Sequence, residues 1–387
     1  MAARAALMFR TLSITTSVIT LAAVPVFLLG AMAIFIRDEL QFNETQLGIA
    51  ASLYYLTAAL SAVPAGRFVE RLGEQRGMAV AAAGTSAAML AIAILADSWG
   101  DVVACMLLAG TAQGFALPAT NLGLARRIPA GRRGIAFGVK QSAGTLATLL
   151  SGAAVPILAL TVGWRCAFAV AGAAGLPLVA WGLRGRSRSA ASSVRVRHPI
   201  PIGPLVVLAV AGACGVIAGS TLASFYVESA VAHGIFSGTA GTLLAVGSVV
   251  GVAGRIGWGW VGDHCGSAEF RVMSGLLAAG AVGFALLGGA TSGARLMVAT
   301  LLIFGMGWAW PGLFNFAVSE RIPAAPAAAT GVIGTGLFAG GIVGPVGFGL
   351  LVEATSYRWA WSAVAAALLL AGGLVLIGGS WLQRRIA

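Results

Sequence analysis

The sequence predicts an all-α integral membrane protein of twelve transmembrane helices in two pseudo-symmetric six-helix bundles, and three observations carry that prediction. Of 387 residues, 59% are hydrophobic and 9% charged, with a mean hydropathy of +0.94, so there are too few charges to cover a water-soluble globule of this size. Apolar runs of about 20 residues, the length that crosses a hydrocarbon core, recur along the whole chain. One polar stretch rich in Ser, Arg and Pro, Arg184 to Pro204, divides those runs six and six. Bundles are therefore expected at 1–183 and 204–387, with a linker at 184–203.

Taken in order, the first run (11–36) follows Arg4 and Arg10 and contains Ala31-Met32-Ala33, which imitates a signal peptide and its cleavage site. Its length and its partnership with the seventh run argue for a retained helix, with Ser13, Thr16, Ser17 and Thr20 on one stripe and no carboxylate. The second run (45–66) opens at Asn43 and Gln46, a capping box; Asn43-Glu44-Thr45 also fits a glycosylation acceptor, and the cap is favoured. The fourth (102–124) carries Gln113, the fifth (134–160) Lys140, and the eighth (238–261) Arg255. The tenth (295–318) carries Trp308, Trp310 and Asn315. The eleventh (327–352) has Gly336, Gly340 and Gly344 at the spacing that lets helices approach closely. The third (77–96), sixth (164–183), seventh (203–227), ninth (271–290) and twelfth (358–381) qualify by length and hydropathy.

The net charge of +12 would suggest nucleic acid in a soluble domain. Here the basic residues sit in short loops: eighteen arginines fall on the linker side, against Arg37, Arg165, Arg295 and Arg358 on the other. That asymmetry is the positive-inside signal; it predicts both termini in the cytoplasm of a bacterial inner membrane and no nucleic-acid partner. Four scattered cysteines, with no C-x-x-C spacing, indicate neither a disulfide framework nor a zinc site. Gly257 to Gly262 reads G-W-G-W-V-G, yet it ends an apolar helix with no preceding strand, so dinucleotide binding is excluded. Glu228 and His233 read as solvated loop residues, and no metal or other cofactor is expected.

Lys140 is the single lysine among 24 basic residues, and it falls inside an apolar run. A charge there costs roughly 2.5–3.5 kcal/mol on insertion scales, which marks a functional candidate. Gly144, Ala147, Thr148 and Ser151 share its helical face, while Phe137, Leu146, Leu149 and Leu150 point elsewhere. Arg255 repeats the pattern, with Gly247, Ser248, Gly251 and Gly259 on its stripe. Two inward cations with no acid at comparable depth imply an anionic ligand. Snorkelling of Lys140 toward the basic loop at Arg132 and Arg133 is the competing reading.

The halves repeat. Gly48, Gly66 and Glu70 recur 193 positions later as Gly241, Gly259 and Asp263, and Arg127-Ile-Pro-Ala recurs at Arg321. The loop G-R-F-V-E-R-L-G-E-Q-R from Gly66 to Arg76, and its second copy G-W-V-G-D-H-C-G from Gly259, resemble the signature loops of the major facilitator superfamily, with Glu70 in place of the usual Asp and His264 in place of Arg. The resemblance spans the chain. It implies a rocking transporter whose site lies at the midplane between the halves. It also implies a conformational switch built on Gly66, Glu70, Arg71, Arg76, Gly259 and Asp263, in which each carboxylate caps a helix start of the other half: Asp263 near Gly134, Glu70 at the start of the eleventh span.

Arg255, four residues before the second loop glycine, is similar to the substrate arginine of monocarboxylate, oxalate/formate and nitrate/nitrite porters. The run F-G-V-K-Q-S-A-G from Phe137 resembles cyanate-permease-like members. Gly110 stands where proton-linked drug exporters carry arginine, and Gly344-Pro345 lies on the eleventh span rather than the fifth. Efflux of cations is thereby disfavoured. The expected activity is transport of a small anion, an organic carboxylate above all, bound between Lys140 and Arg255 with Gln113, Asn315, Tyr54, Tyr226 and Trp310 as companions. A proton or counter-anion is an admissible coupling partner, the bilayer is the surrounding partner, and a monomer is expected. An exporter of amphipathic compounds is the alternative, and a sensor or membrane enzyme ranks third, since His198, His233 and His264 all lie in loops.

Overall fold

Backbone polar groups in hydrocarbon must be satisfied within their own segment, so an apolar run crosses as a helix. The computed structural model describes residues 2–127, 139–184, 201–264, 268–322 and 326–386. Twelve helices there are long and apolar enough to cross a membrane: Met8–Ala31, Glu44–Leu72, Glu74–Leu95, Trp99–Leu124, Val139–Ala159, Trp164–Arg184, Ile202–Ala232, Ser237–Val261, Glu269–Leu287, Gly293–Asn315, Gly331–Ala354 and Tyr357–Arg384, here spans 1 to 12. The chain is an all-helical, multi-pass membrane protein, and no strand occurs among the described residues.

Span 1 breaks at Met32 and continues as a short helix, Ala33–Leu40. Spans 2 and 3 are joined by Gly73 alone, at φ +89°, a conformation that a side chain makes costly. Span 7 runs five residues past its expected end, to Ala232, which puts Glu228 inside the helix at 5% exposure. The sequence reading of Glu228 as a solvated loop residue is therefore corrected, and with it the statement that no acid lies at the depth of the cations. The physical reason is that the helix carries on through Ser229 to Ala232, small residues with no breaker among them. Residues 185–200 of the expected linker, and Arg132, Arg133, Gly134 and Phe137, lie outside the described residues.

Two compact units emerge: Met1–Asn43 with Leu53–Ser193, and Glu44–Ser52 with Val194–Ala387. In unit 1, span 3 packs against spans 4 and 6, and span 1 against spans 4 and 5. Lipid tails are as apolar as leucine, so these helices are held by close packing at small residues rather than by escape from water. Gly84 sits against Ala112, and Gly172 against the Ser86 carbonyl. In unit 2, span 7 carries spans 11 and 12, and span 9 packs against span 12. Gly336 and Gly340 press on the backbone of Ala209 and Ala213, and Gly344 on that of Ile217. The glycine row on span 11 is thus a packing seam. Segment 44–52 joins unit 2 through contacts such as the Val346 N–H donating to the Ser52 hydroxyl at 3.1 Å.

Candidate functional site

Lys140 lies at the start of the described part of span 5 and is 4% exposed. Its ammonium donates to the Asn121 side-chain carbonyl of span 4. The face predicted for it is buried at Ala147, Thr148 and Ser151, while Leu150 is 54% exposed. Thr20 of span 1 donates to the Ala143 carbonyl at 3.3 Å. Because spans 1 and 5 run in the same direction, that bond brings Thr16 level with the Lys140 turn. The hydroxyl oxygens of Thr16, Thr145 and Ser151 are buried with no hydrogen-bond partner. Unit 1 therefore carries unpartnered buried hydroxyls along spans 1 and 5.

Gln113 also has a buried amide oxygen with no partner. It stands eight residues before Asn121, about 12 Å along the helix. A small ligand at Lys140 does not reach it without extending along span 4.

Arg255 of span 8 is half-buried. Its Nε and Nη2 both donate to the Trp308 carbonyl at 3.2 Å, and its Cζ lies 5.3 Å from the centre of the Trp308 ring. Trp308 stands at an interruption of span 10, where an α-helix to Leu302 gives way to a π-helical turn, Ile303–Gly307, and resumes as Trp310–Arg321. The local sequence explains the break. Gly305 and Gly307 weaken the helix, and Pro311 has no N–H for the Gly307 carbonyl. The Ala309 N–H turns to Met306 at 3.1 Å, and the Trp308 N–H reaches Ile303 at 2.7 Å. π-Turns of this kind are frequent at functional sites.

The other expected companions fall within one unit or the other. Trp310 is 2% exposed, packed on Gly215 of span 7, and its indole nitrogen is buried with no hydrogen-bond partner. Asn315 donates to the Pro311 carbonyl of its own helix at 2.9 Å. Tyr54 donates to the Ala22 carbonyl at 2.8 Å, and Tyr226 is bonded to the Thr300 hydroxyl, both deep in helix packing. These two phenols fasten spans 2 to 1 and 7 to 10.

Of the expected switch residues, Glu70, Arg71 and Arg76 are exposed and Gly66 is half-buried, around the Gly73 turn. Gly259 lies on span 8; the side chain of Asp263 is outside the described residues. Sequence reasoning missed Glu269, 4% exposed in the first turn of span 9, whose carboxylate takes both contacts of Arg321 Nη2, at 3.0 and 3.2 Å. Glu74, the first residue of span 3, is buried likewise. Asn121 was missed too, although its spacing of two turns from Gln113 on an apolar helix was the available signal.

Away from the cations, Arg165 binds Glu39 at 2.8 Å and the Ala96 carbonyl at 2.7 Å, and the Trp164 indole donates to Glu39 at 2.6 Å. The Arg165 guanidinium, then the Trp164 N–H, hold the Glu39 carboxyl below its ordinary value.

The sequence profile of the Major Facilitator Superfamily matches residues 15–335. A protein of Agrobacterium vitis named "Putative tartrate transporter" is 24% identical over 399 residues, covering 91% of this chain and 86% of the relative. Among solved structures, a bacterial homologue of the human lysosomal transporter Spinster, inward-facing and unoccupied, is similar at a TM-score of 0.77, with 16% identity and 98% of each chain covered. A second structure of the same description, inward-facing and occupied, reaches 0.68 at 14% identity, covering 96% of this chain and 95% of the other. At these identities the structural likeness is one of fold.

Proposed function

The chain belongs to the Major Facilitator Superfamily and is a membrane transporter rather than an enzyme, and from that membership we propose that it carries a small anion, an organic carboxylate, with Lys140 and Arg255 as its counter-charges. The observation that carries this reading is one cation placed within the helices of each unit, on partners that are neutral where described: the Asn121 amide, and the carbonyl and ring of Trp308. Neutral dipoles hold a cation without cancelling its charge. A carboxylate binding there gains charge-assisted hydrogen bonds, and Arg offers it a planar fork where Lys offers a point charge.

Trp310 adds a buried N–H that lacks an acceptor, a donor suited to an anion; left unmet it costs about 1–3 kcal/mol. The relative is named for tartrate, a dicarboxylate, and two cations match two carboxylates. Gln113, Asn315, Tyr54 and Tyr226 then act as polar lining or its support. Transport proceeds by alternating access of the two halves, 1–183 and 204–387 about the linker 184–203, because a ligand that neutralises both cations changes the cost of closing around them. The loops of Gly66, Glu70, Arg71 and Arg76 and of Gly259 and Asp263 bias that equilibrium. The basic asymmetry supports a bacterial cytoplasmic membrane with both termini inside.

Uptake into proteoliposomes tests the proposal, with tartrate, other mono- and dicarboxylates, nitrate and an organic cation as probes, with and without a pH gradient. Saturable uptake of carboxylates is expected. Transport of the cation with none of the anions overturns it.

A further inference from the structure

Span 8 meets span 10 along one seam, Gly247, Gly254 and Trp258, at helical spacings of seven and four residues. Gly247 lies against Thr300 and Phe304. A Cβ on Gly254 would stand 2.8 Å from the Gly305 carbonyl oxygen, so only glycine lets the two backbones come this near. Next along the seam, the Trp258 indole N–H donates to that same Gly305 carbonyl at 2.9 Å. Gly305 is in the middle of the π-helical turn. The Ala309 N–H, its ordinary α-helical donor, is given to Met306 instead. From the other side, Gly280 of span 9 lies on the Gly307 backbone. The interruption is thus clamped between two glycines and fastened by one indole.

We infer that Trp258 is a positioning residue for Arg255: by occupying the Gly305 carbonyl it keeps span 10 interrupted, and so keeps Trp308, whose carbonyl and ring hold the guanidinium, where the anion needs it. Without that bond, Gly305 can take back a donor from its own helix, and a π-turn that reverts to α rotates Trp308 by a residue's worth of helix, about 100°. The Trp308 carbonyl then leaves Arg255. Trp258 touches no ligand in this scheme and acts through span 10 alone. The inference rests on the reading of Arg255 as an anion-binding residue.

Trp258→Phe in the full chain removes the N–H and keeps an aromatic ring. Two measurements decide the matter: hydrogen exchange of the amides from 303 to 312 in the purified protein, and uptake kinetics in proteoliposomes with tartrate, or with whichever probe carboxylate is taken up best. Expected are altered exchange confined to that segment, and a KM raised about five- to tenfold with the maximal rate retained, as for loss of one hydrogen bond acting on affinity. A merely structural role would lower the amount of active protein and the maximal rate while leaving KM alone, and that outcome overturns the inference, as does unchanged exchange. If the unaltered protein takes up no carboxylate, the anion reading fails instead. The exchange measurement needs no substrate and then decides by itself whether Trp258 holds the interruption.

Discussion

Spans 4 and 10 are repeat-mates, and they meet their cations by opposite means. Span 4 is one α-helix from Trp99 to Arg127, unbroken through Gly110, Gly114 and Pro118, and it holds Lys140 with a side chain, that of Asn121. Span 10 has Gly305, Gly307 and Pro311 in the comparable stretch, is interrupted, and holds Arg255 with its backbone. The neighbours explain the difference. Where unit 1 has Ser61, whose hydroxyl is shared between the Thr57 carbonyl of its own helix at 2.6 Å and the Thr111 carbonyl of span 4 at 3.2 Å, unit 2 has Gly254, with the Trp258 indole on the Gly305 carbonyl. A serine hydroxyl bonds a carbonyl from outside an intact helix. A glycine and an indole together allow the backbone to come in and be pinned open. Glycine and proline thus permit an interruption; the helix packed alongside decides it.

The largest expected effects come from deleting the cations, and they should differ in kind. Lys140→Ala and Arg255→Ala should each cut carboxylate uptake by roughly ten- to hundred-fold, for the loss of about 1.5–3 kcal/mol of charge-assisted binding. Thermal unfolding in detergent should separate them. Lys140→Ala removes a buried charge and leaves span 4 intact, so its midpoint should hold or rise; Arg255→Ala also takes away a brace of span 10, so its midpoint should fall. Equal midpoints would erase the contrast between the spans, and full uptake by both variants would end the anion reading.

Much of this was legible in the sequence, and the part that was not has a common cause. The twelve crossings and the burial of Ala147, Thr148 and Ser151 beside Lys140 follow from hydropathy and helical period, which are local properties. The interruption of span 10 was not legible, because spans 4 and 10 carry the same kinds of breaker and the contacts of Gly254 and Trp258, distant in sequence, set them apart. Asn121 showed a periodic signal but no charge to draw attention to it. Glu228 was misplaced because hydropathy ends a span at the first acid, whereas the helix is ended by its backbone four residues later.

A sharper test exchanges the mates. Gly254→Ser puts a side chain 2.8 Å or less from the Gly305 carbonyl, where backbone cannot yield cheaply, and should cost about 1–3 kcal/mol of stability together with carboxylate affinity. Ser61→Gly should cost only a hydrogen bond, about 0.5–1.5 kcal/mol, with affinity retained. Chemical denaturation and uptake kinetics on the two variants make the comparison. Similar losses in both would mean that the two seams are equivalent and that glycine at 254 is incidental.

The smallest expected effect lies at the ends of the spans, where the halves diverge again. Trp164 and Arg165 of span 6 close on Glu39 as an ionic clasp, whereas Tyr357, the mate of Trp164 in span 12, finds an aromatic edge, its ring lying 6.4 Å from that of His233. Only the first clasp is built on a carboxylate. Because the folded-state Glu39 carboxyl lies below its ordinary value of 4.5, its contribution to stability is complete above that pH and is lost as pH falls through the lowered value. The carboxylate is nearly half-exposed, at 46%, so the contribution should be about 0.2–1 kcal/mol and weaken with salt. Unfolding midpoints from pH 6 down to about 3 should therefore fall slightly less steeply for Glu39→Gln than for the parent, with the two curves meeting at the acid end. Parallel curves across that range would show that the clasp is held by the Trp164 hydrogen bond and packing, and not by charge.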